Sequence, residues 1–175
     1  FPIMMFALPG AALAIYHTAK PEKKKVTGGV MFSVALTAFL TGITEPLEYA
    51  FAYVAFPLYL VHAILTGTSL ALVNALGIKD GFGFSAGLTD YIINFGRAAQ
   101  LSGGPGKVLL LLVIGLAYGV IYYFVFRFAI TRWQLHTPGR EEDGESAAAA
   151  SVFDEAQVAA EASTGKKAAK DEGRV

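Results

Sequence analysis

Glu45 and Glu48 lie three positions apart in a part of the chain otherwise almost free of charge. An acidic side chain at bilayer depth costs about 2.5 to 3.5 kcal/mol on insertion scales, and such residues tend to mark substrate or ion pathways. On a helix the two carboxylates share a face, where each raises the other's proton affinity unless a cation or ligand hydroxyls intervene. A carboxylate accepts several hydrogen bonds at once, so the pair suits a hydroxyl-rich guest, and it equally suits a proton relay. A purely structural role is also open: Pro46 suits the first turn of a helix, where nearby carboxylates meet the positive end of its dipole. Thr44 is placed to cap that helix, and its hydroxyl is also within reach of a polar ligand. His17 ends an apolar segment beside Lys20 as either a donor to a ligand or a satisfied interface residue. His62 falls inside an apolar run and reads as buried polarity.

The elements that must position these groups follow from composition. The chain has 175 residues, 54% of them apolar and 16% charged, with zero formal net charge. That neutrality hides an asymmetry. Residues 1–139 carry nine Lys/Arg and five Asp/Glu, whereas residues 140–175 carry five and nine. Charge-free runs cover residues 1–19, 26–44, 49–78 and 108–126, with histidine counted as neutral. These are membrane lengths, since a spanning helix needs roughly 20 apolar residues.

The first run contains Pro2, Pro9 and Gly10 and reads as the end of a spanning helix or as a broken one. The basic loop Glu22-Lys23-Lys24-Lys25 after it marks a cytoplasmic side. Thr41-Gly42-Ile43-Thr44-Glu45-Pro46 then interrupts the second apolar run, because proline removes a backbone donor and glycine permits left-handed turns. Irregular backbone at that depth survives only if buried in protein or lining a wet cavity, so a re-entrant hairpin at Gly42 to Pro46 is expected. Pro57 divides the third run and leaves a crossing at about Leu58 to Leu76. The glycine-rich stretch from Ile78 to Lys107 reads as a connector with a short helix around Leu88 to Phe95, and Gly81-x-Gly83-x-x-x-Gly87 within it reads as flexibility. Residues 108–130 form the clearest span, ended by Arg127, Arg132 and Trp133 as interfacial anchors. Gly115-x-x-x-Gly119 within it suits close helix packing. If the Glu45 break does not cross, both basic ends share one side. The fold class is therefore an all-α membrane protein, with residues 140–175 a disordered linker.

Several classes are set aside. The chain has no cysteine, which removes disulfides, thiol nucleophiles and Cys-ligated metals. The basic excess is too small and scattered for a nucleic-acid surface. No triad or metal-ligand spacing is present among three scattered histidines, so no metal or cofactor is expected. The start of the chain has no positive leader and no initial methionine, so it reads as a piece of a longer protein beginning inside an apolar segment.

Phe6-Ala7-Leu8-Pro9-Gly10-Ala11-Ala12-Leu13-Ala14, His17-Thr18-Ala19-Lys20-Pro21 and Leu36-Thr37-Ala38-Phe39-Leu40-Thr41-Gly42-Ile43-Thr44-Glu45-Pro46-Leu47-Glu48 resemble the C-terminal half of enzyme IIC, the membrane subunit of glucose-family phosphotransferase permeases. His62-Ala63-Ile64-Leu65-Thr66-Gly67, Phe84-Ser85-Ala86-Gly87-Leu88-Thr89-Asp90-Tyr91 and Thr137-Pro138-Gly139-Arg140-Glu141 continue the likeness in order. It covers Phe1 to about Glu142.

The resemblance implies a partial EIIC domain over residues 1–139, followed by a linker towards a IIB domain. It implies a homodimeric permease of the bacterial inner membrane, multi-pass with a cytoplasmic C-terminal tail, that phosphorylates its sugar during uptake. Its partners are the sugar, the cytosolic IIB and IIA phosphocarriers and membrane lipid. In such permeases the glutamate of the Gly-Ile-Thr-Glu-Pro string binds sugar hydroxyls near the one that receives phosphate. That role falls on Glu45, with Thr44, Glu48 and His17 as further substrate-binding candidates. N-acetylglucosamine is favoured slightly over glucose by Gly10 and the Phe-Ser-Ala-Gly run. The family's phosphate-bearing cysteine and the N-terminal half of its membrane domain are not in this sequence, so the 175 residues alone are not expected to transfer phosphate. A proton-coupled secondary transporter and an assembly-only membrane fragment are the competing readings.

Overall fold

The computed structural model describes residues 1–140. Those residues are helical, with no strand among them. A π-helical turn, Ile3–Ala7, runs directly into α1, Leu8–Thr18. The first apolar segment is thus one continuous helix despite Pro9. Proline lacks the N–H and crowds the preceding turn, and the wider turn before it absorbs that crowding, with the Leu8 N–H reaching back to the Ile3 carbonyl.

Helix α2, Lys24–Thr41, stops at Gly42, whose φ of 76° is left-handed and natural for glycine. Helix α3, Glu45–Ala52, begins three residues later with Pro46 in its first turn. The break therefore lies where the Gly-Ile-Thr-Glu-Pro string predicts it. Helix α4, Phe56–Ala75, begins with Pro57, and α6, Pro105–Arg132, begins with Pro105. Both are long and apolar enough to cross a membrane. Between them α5, Leu88–Ser102, extends well past the short helix expected around Leu88 to Phe95 and ends at Gly103, φ 84°.

The core forms where α1 packs on α6. From α6 the buried positions Val108, Leu111, Gly115, Tyr118, Tyr122, Phe126 and Ala129 recur at helical spacing and turn inward. The opposite stripe, Leu109, Val113, Leu116, Val120, Phe124 and Phe128, is equally apolar and exposed. A helix apolar on every side belongs in lipid or within a larger protein, and the polar-outward pattern of a water-soluble helix is missing from α6. Gly10 lies against Gly119, where a Cβ would collide with the Gly119 carbonyl, and Gly115 lies against the Phe6 ring. Small residues let the two backbones approach, so Gly115-x-x-x-Gly119 packs inside the bundle.

The two basic ends also meet. Lys20 donates its N–H to the Gly139 carbonyl at 2.9 Å, and the Arg140 guanidinium donates to the Thr18 carbonyl at 3.1 Å. The expected linker over 140–175 lies outside the described residues, except for Arg140.

Candidate functional site at the helix break

Helix α2 ends and α3 begins within three residues, so this turn exposes backbone groups that neither helix satisfies. Thr44 occupies the N-cap position of α3 and is buried, but its hydroxyl makes no capping bond. Its backbone N–H donates to Glu45 Oε2 at 3.1 Å instead. The first-turn N–H groups of Leu47 and Glu48 donate to the Thr44 backbone carbonyl at 3.0 and 2.9 Å. Glu45 is exposed on this chain and lines neither of the two principal cavities. Among the described residues its second oxygen has no hydrogen-bond partner.

Glu48, one turn further on, points the other way, towards α4. It is half-buried, with Oε1 at 3.8 Å from His62 Nε2. Helical spacing predicts a shared face, yet α3 splits the two acids between an open side and a covered side. His62 is buried, and its Nδ1 lies 3.1 Å from the Tyr122 hydroxyl. Tyr122 also lies 3.3 Å from the Thr66 hydroxyl and donates to the His62 carbonyl at 3.2 Å. A second rung joins Thr68 to the Tyr118 hydroxyl at 3.0 Å. A polar column consequently runs from α3 through α4 into α6. Glu48, His62, Thr66 and Ser69 open onto a cavity of about 340 Å³, which Asp80 and Phe82 close from the connector. Burial pushes the Asp80 carboxyl up to about 6. A larger cavity of about 680 Å³ between α1 and α2 is apolar, with Lys24 and Lys25 beside it.

His17 is not part of this constellation. Its Nδ1 lies 3.0 Å from the Tyr123 hydroxyl, which also accepts from Arg127 at 2.7 Å. The structure therefore gathers Thr44 and Glu45 at the break, gathers Glu48 and His62 around the cavity, and leaves His17 at the end of α1. The role of His62 as Glu48's neighbour has a weak sequence signal, one polar residue in an apolar run. Tyr118 and Tyr122 have none, because their partners lie 50 and 56 positions away.

Residues 1–67 match the family described as Phosphotransferase system, EIIC. The chain is also 54% identical over 143 residues to the N-acetylglucosamine-specific EIICB component of the PTS system from Bacillus subtilis strain 168. That alignment takes in 82% of this chain and 30% of the relative, so the chain spans under a third of the length of the curated protein it matches. Residues 1–67 take in the helix break, and the chain belongs to the phosphotransferase system EIIC family of membrane components.

Proposed function

We propose that this chain is part of a phosphotransferase permease that imports N-acetylglucosamine and phosphorylates it on the way, with glucose as the alternative sugar. One observation carries the reading: an exposed carboxylate at a helix break, in a chain so similar to an N-acetylglucosamine-specific relative. The neutral sugar offers hydroxyl donors, and the free side of Glu45 is an acceptor for them. Thr44 adjoins it as a further contact, while Glu48, turned towards His62, and His17, at the end of α1 beside Tyr123, lie apart from that carboxylate. In the reaction a sugar oxygen attacks phosphorus held on the cysteine of a IIB domain. The S–P bond breaks as the O–P bond forms, and the hydroxyl proton leaves. Glu45 orients that hydroxyl or accepts its proton.

In this reading α2 and α3 form a re-entrant hairpin, and α4 and α6 cross the bacterial inner membrane. The contact between Lys20 and Gly139 supports placing both basic ends on one side, the cytoplasmic side, with the C-terminal tail. A homodimer, membrane lipid and the IIB and IIA phosphocarriers complete the assembly.

The test uses membranes containing the complete assembly, phosphoenolpyruvate, the general phosphocarriers and labelled sugar. Glu45→Gln keeps the shape and removes the charge. Sugar phosphorylation should fall about 100-fold, the scale of a lost general base or charged hydrogen bond. Unchanged activity removes Glu45 from the site. The Glu48–His62 pair gives a proton-coupled transporter its one structural support. Uptake that collapses with an uncoupler and delivers unmodified sugar would replace the phosphotransfer reading with that one.

A further inference from the structure

The broken end of α2 is held by a segment far from it in sequence. Thr89 donates its hydroxyl to the Leu40 carbonyl at 2.9 Å, and Ser85 donates its hydroxyl to the Gly42 carbonyl at 2.8 Å. These are carbonyls that α2 leaves without a helical partner, and in apolar surroundings an unpaired carbonyl is costly. Gly87 is buried, and a Cβ there would meet the Leu40 carbonyl oxygen at 2.7 Å and run into the backbone of Thr41 and Gly42. From the other side, a Cβ on Gly42 would meet the Ser85 hydroxyl at 2.6 Å and the Ala86 N–H at 2.8 Å. The two backbones touch, and glycine on each is what lets them.

The segment is itself organised by one residue. The Asp90 carboxylate accepts from the backbone N–H of Gly83 at 2.8 Å, Ser85 at 3.1 Å and Phe84 at 3.3 Å. Asn94 donates its amide to the same carboxylate at 3.3 Å and to the Asp90 carbonyl at 3.0 Å. Asp90 folds residues 83–85 into a tight turn, the turn aims the Ser85 hydroxyl at Gly42, and Thr89 reaches Leu40 from the first turn of α5. Glu45 begins three residues beyond Gly42.

We propose that residues 83–90 are a positioning element that fixes the Gly42–Thr44 turn and thereby the direction in which Glu45 is presented. Ser85, Gly87, Thr89 and Asp90 are its positioning residues; they act through the turn and not on the sugar. The proposal rests on the reading of Glu45 as a sugar contact, and it assigns to the connector the setting of sugar affinity.

The experiment compares Gly87→Ala with Gly96→Ala, a glycine where an added Cβ meets nothing within 4 Å. Gly87 has φ −99°, which alanine adopts freely, so any effect comes from the close approach. Amide hydrogen exchange over residues 40–45 is read on the full chain in lipid nanodiscs, and KM and kcat for N-acetylglucosamine on the complete assembly. Gly87→Ala should speed exchange at Ile43 to Glu45 at least tenfold and raise KM at least tenfold with a smaller fall in kcat, while Gly96→Ala changes neither. If Gly87→Ala fails to fold, Thr89→Val should show the same pattern more weakly, while Thr89→Ser, which keeps the hydroxyl, should keep the parent's exchange and KM. Exchange identical to the Gly96→Ala control overturns the proposal. So does faster exchange with an unchanged KM in an assembly where Glu45→Gln abolishes phosphorylation. Faster exchange in an assembly where Glu45→Gln is silent leaves the element holding the turn and discards the sugar role of Glu45.

Discussion

Backbone touches backbone at two places, and the two contacts do opposite work. At the α1–α6 seam, Gly10 and Gly119 bring together two helices that stay intact. At the break, Gly42 and Gly87 bring together the end of one helix and a connector, and the contact keeps a helix from continuing. The seam needs shape above all, because both helices run through it unbroken. The break must also supply partners, which is why Ser85, Thr89 and Asp90 accompany its glycines. Missing side chains therefore serve packing in one place and a displaced polar backbone in the other. Substitution should cost stability at the seam and sugar handling at the break.

The sharpest way to break that contrast is at the seam. Gly10→Val places a branched side chain against the Gly119 carbonyl, which is backbone and has no rotamer to move. Overpacking typically costs about 1 to 3 kcal/mol, and a fixed obstacle puts this site at about 3 kcal/mol or above. Thermal unfolding in detergent should show a large loss, whereas Gly67→Ala, on an open face of α4, should be neutral or slightly stabilising. If Gly10→Val melts like the parent, the seam is not what joins α1 to α6. The Glu45→Gln variant supplies the other half, a loss of phosphorylation of about 100-fold with the melting temperature unmoved.

Legibility in the sequence follows the range of the interactions involved. The break at Gly42 and the starts of α3, α4 and α6 announce themselves locally, through glycine and proline at helix ends. The apolar spans are read from length alone. Pro9 misleads in the same local reasoning, because a π-helical turn lets the helix continue through it. The connector misleads more. Gly81, Gly83 and Gly87 read as flexibility, yet Gly87 is pressed against the end of α2 and Gly83 donates to Asp90. Nothing near residue 87 in the sequence points to residue 42. The Glu48–His62–Tyr122 column was likewise out of reach, since its members come from three helices.

That column gives a smaller effect. Tyr122→Phe removes a hydroxyl that serves His62 and Thr66 but leaves the ring stacked on Phe126. Hydrogen bonds between membrane helices average about 0.6 kcal/mol, so a loss of about 1 kcal/mol in thermal unfolding is expected. KM for the sugar should stay within about twofold, corresponding to less than 0.5 kcal/mol, because neither the Gly42 turn nor its holding segment is touched. A large rise in KM would instead place the column in the sugar site and dissolve the distinction between packing polarity and presentation at the break.

The smallest effect is a pH dependence confined to the connector. The backbone N–H groups of Gly83 and Ser85 hold the Asp90 carboxyl below the usual aspartate range, helped by Phe84 and Asn94 and opposed by burial. A carboxyl whose folded pKa is depressed contributes stability that is complete above its unfolded pKa, about 3.9, and is lost as pH falls through the lower folded value. Exchange at the amides of residues 83–85, corrected for its intrinsic pH dependence, should therefore be unchanged between pH 7 and pH 5 and should rise only below about pH 4. Asp90→Asn keeps one acceptor oxygen for three N–H donors, so exchange there should be faster at every pH and the acid transition should vanish. Because the Gly10–Gly119 contact contains no titrating group, protection of the α1 and α6 amides around it should not follow the Asp90 transition. An acid transition in both regions at the same pH would mean that the break and the seam unfold as one unit, and that the connector does not hold its turn independently.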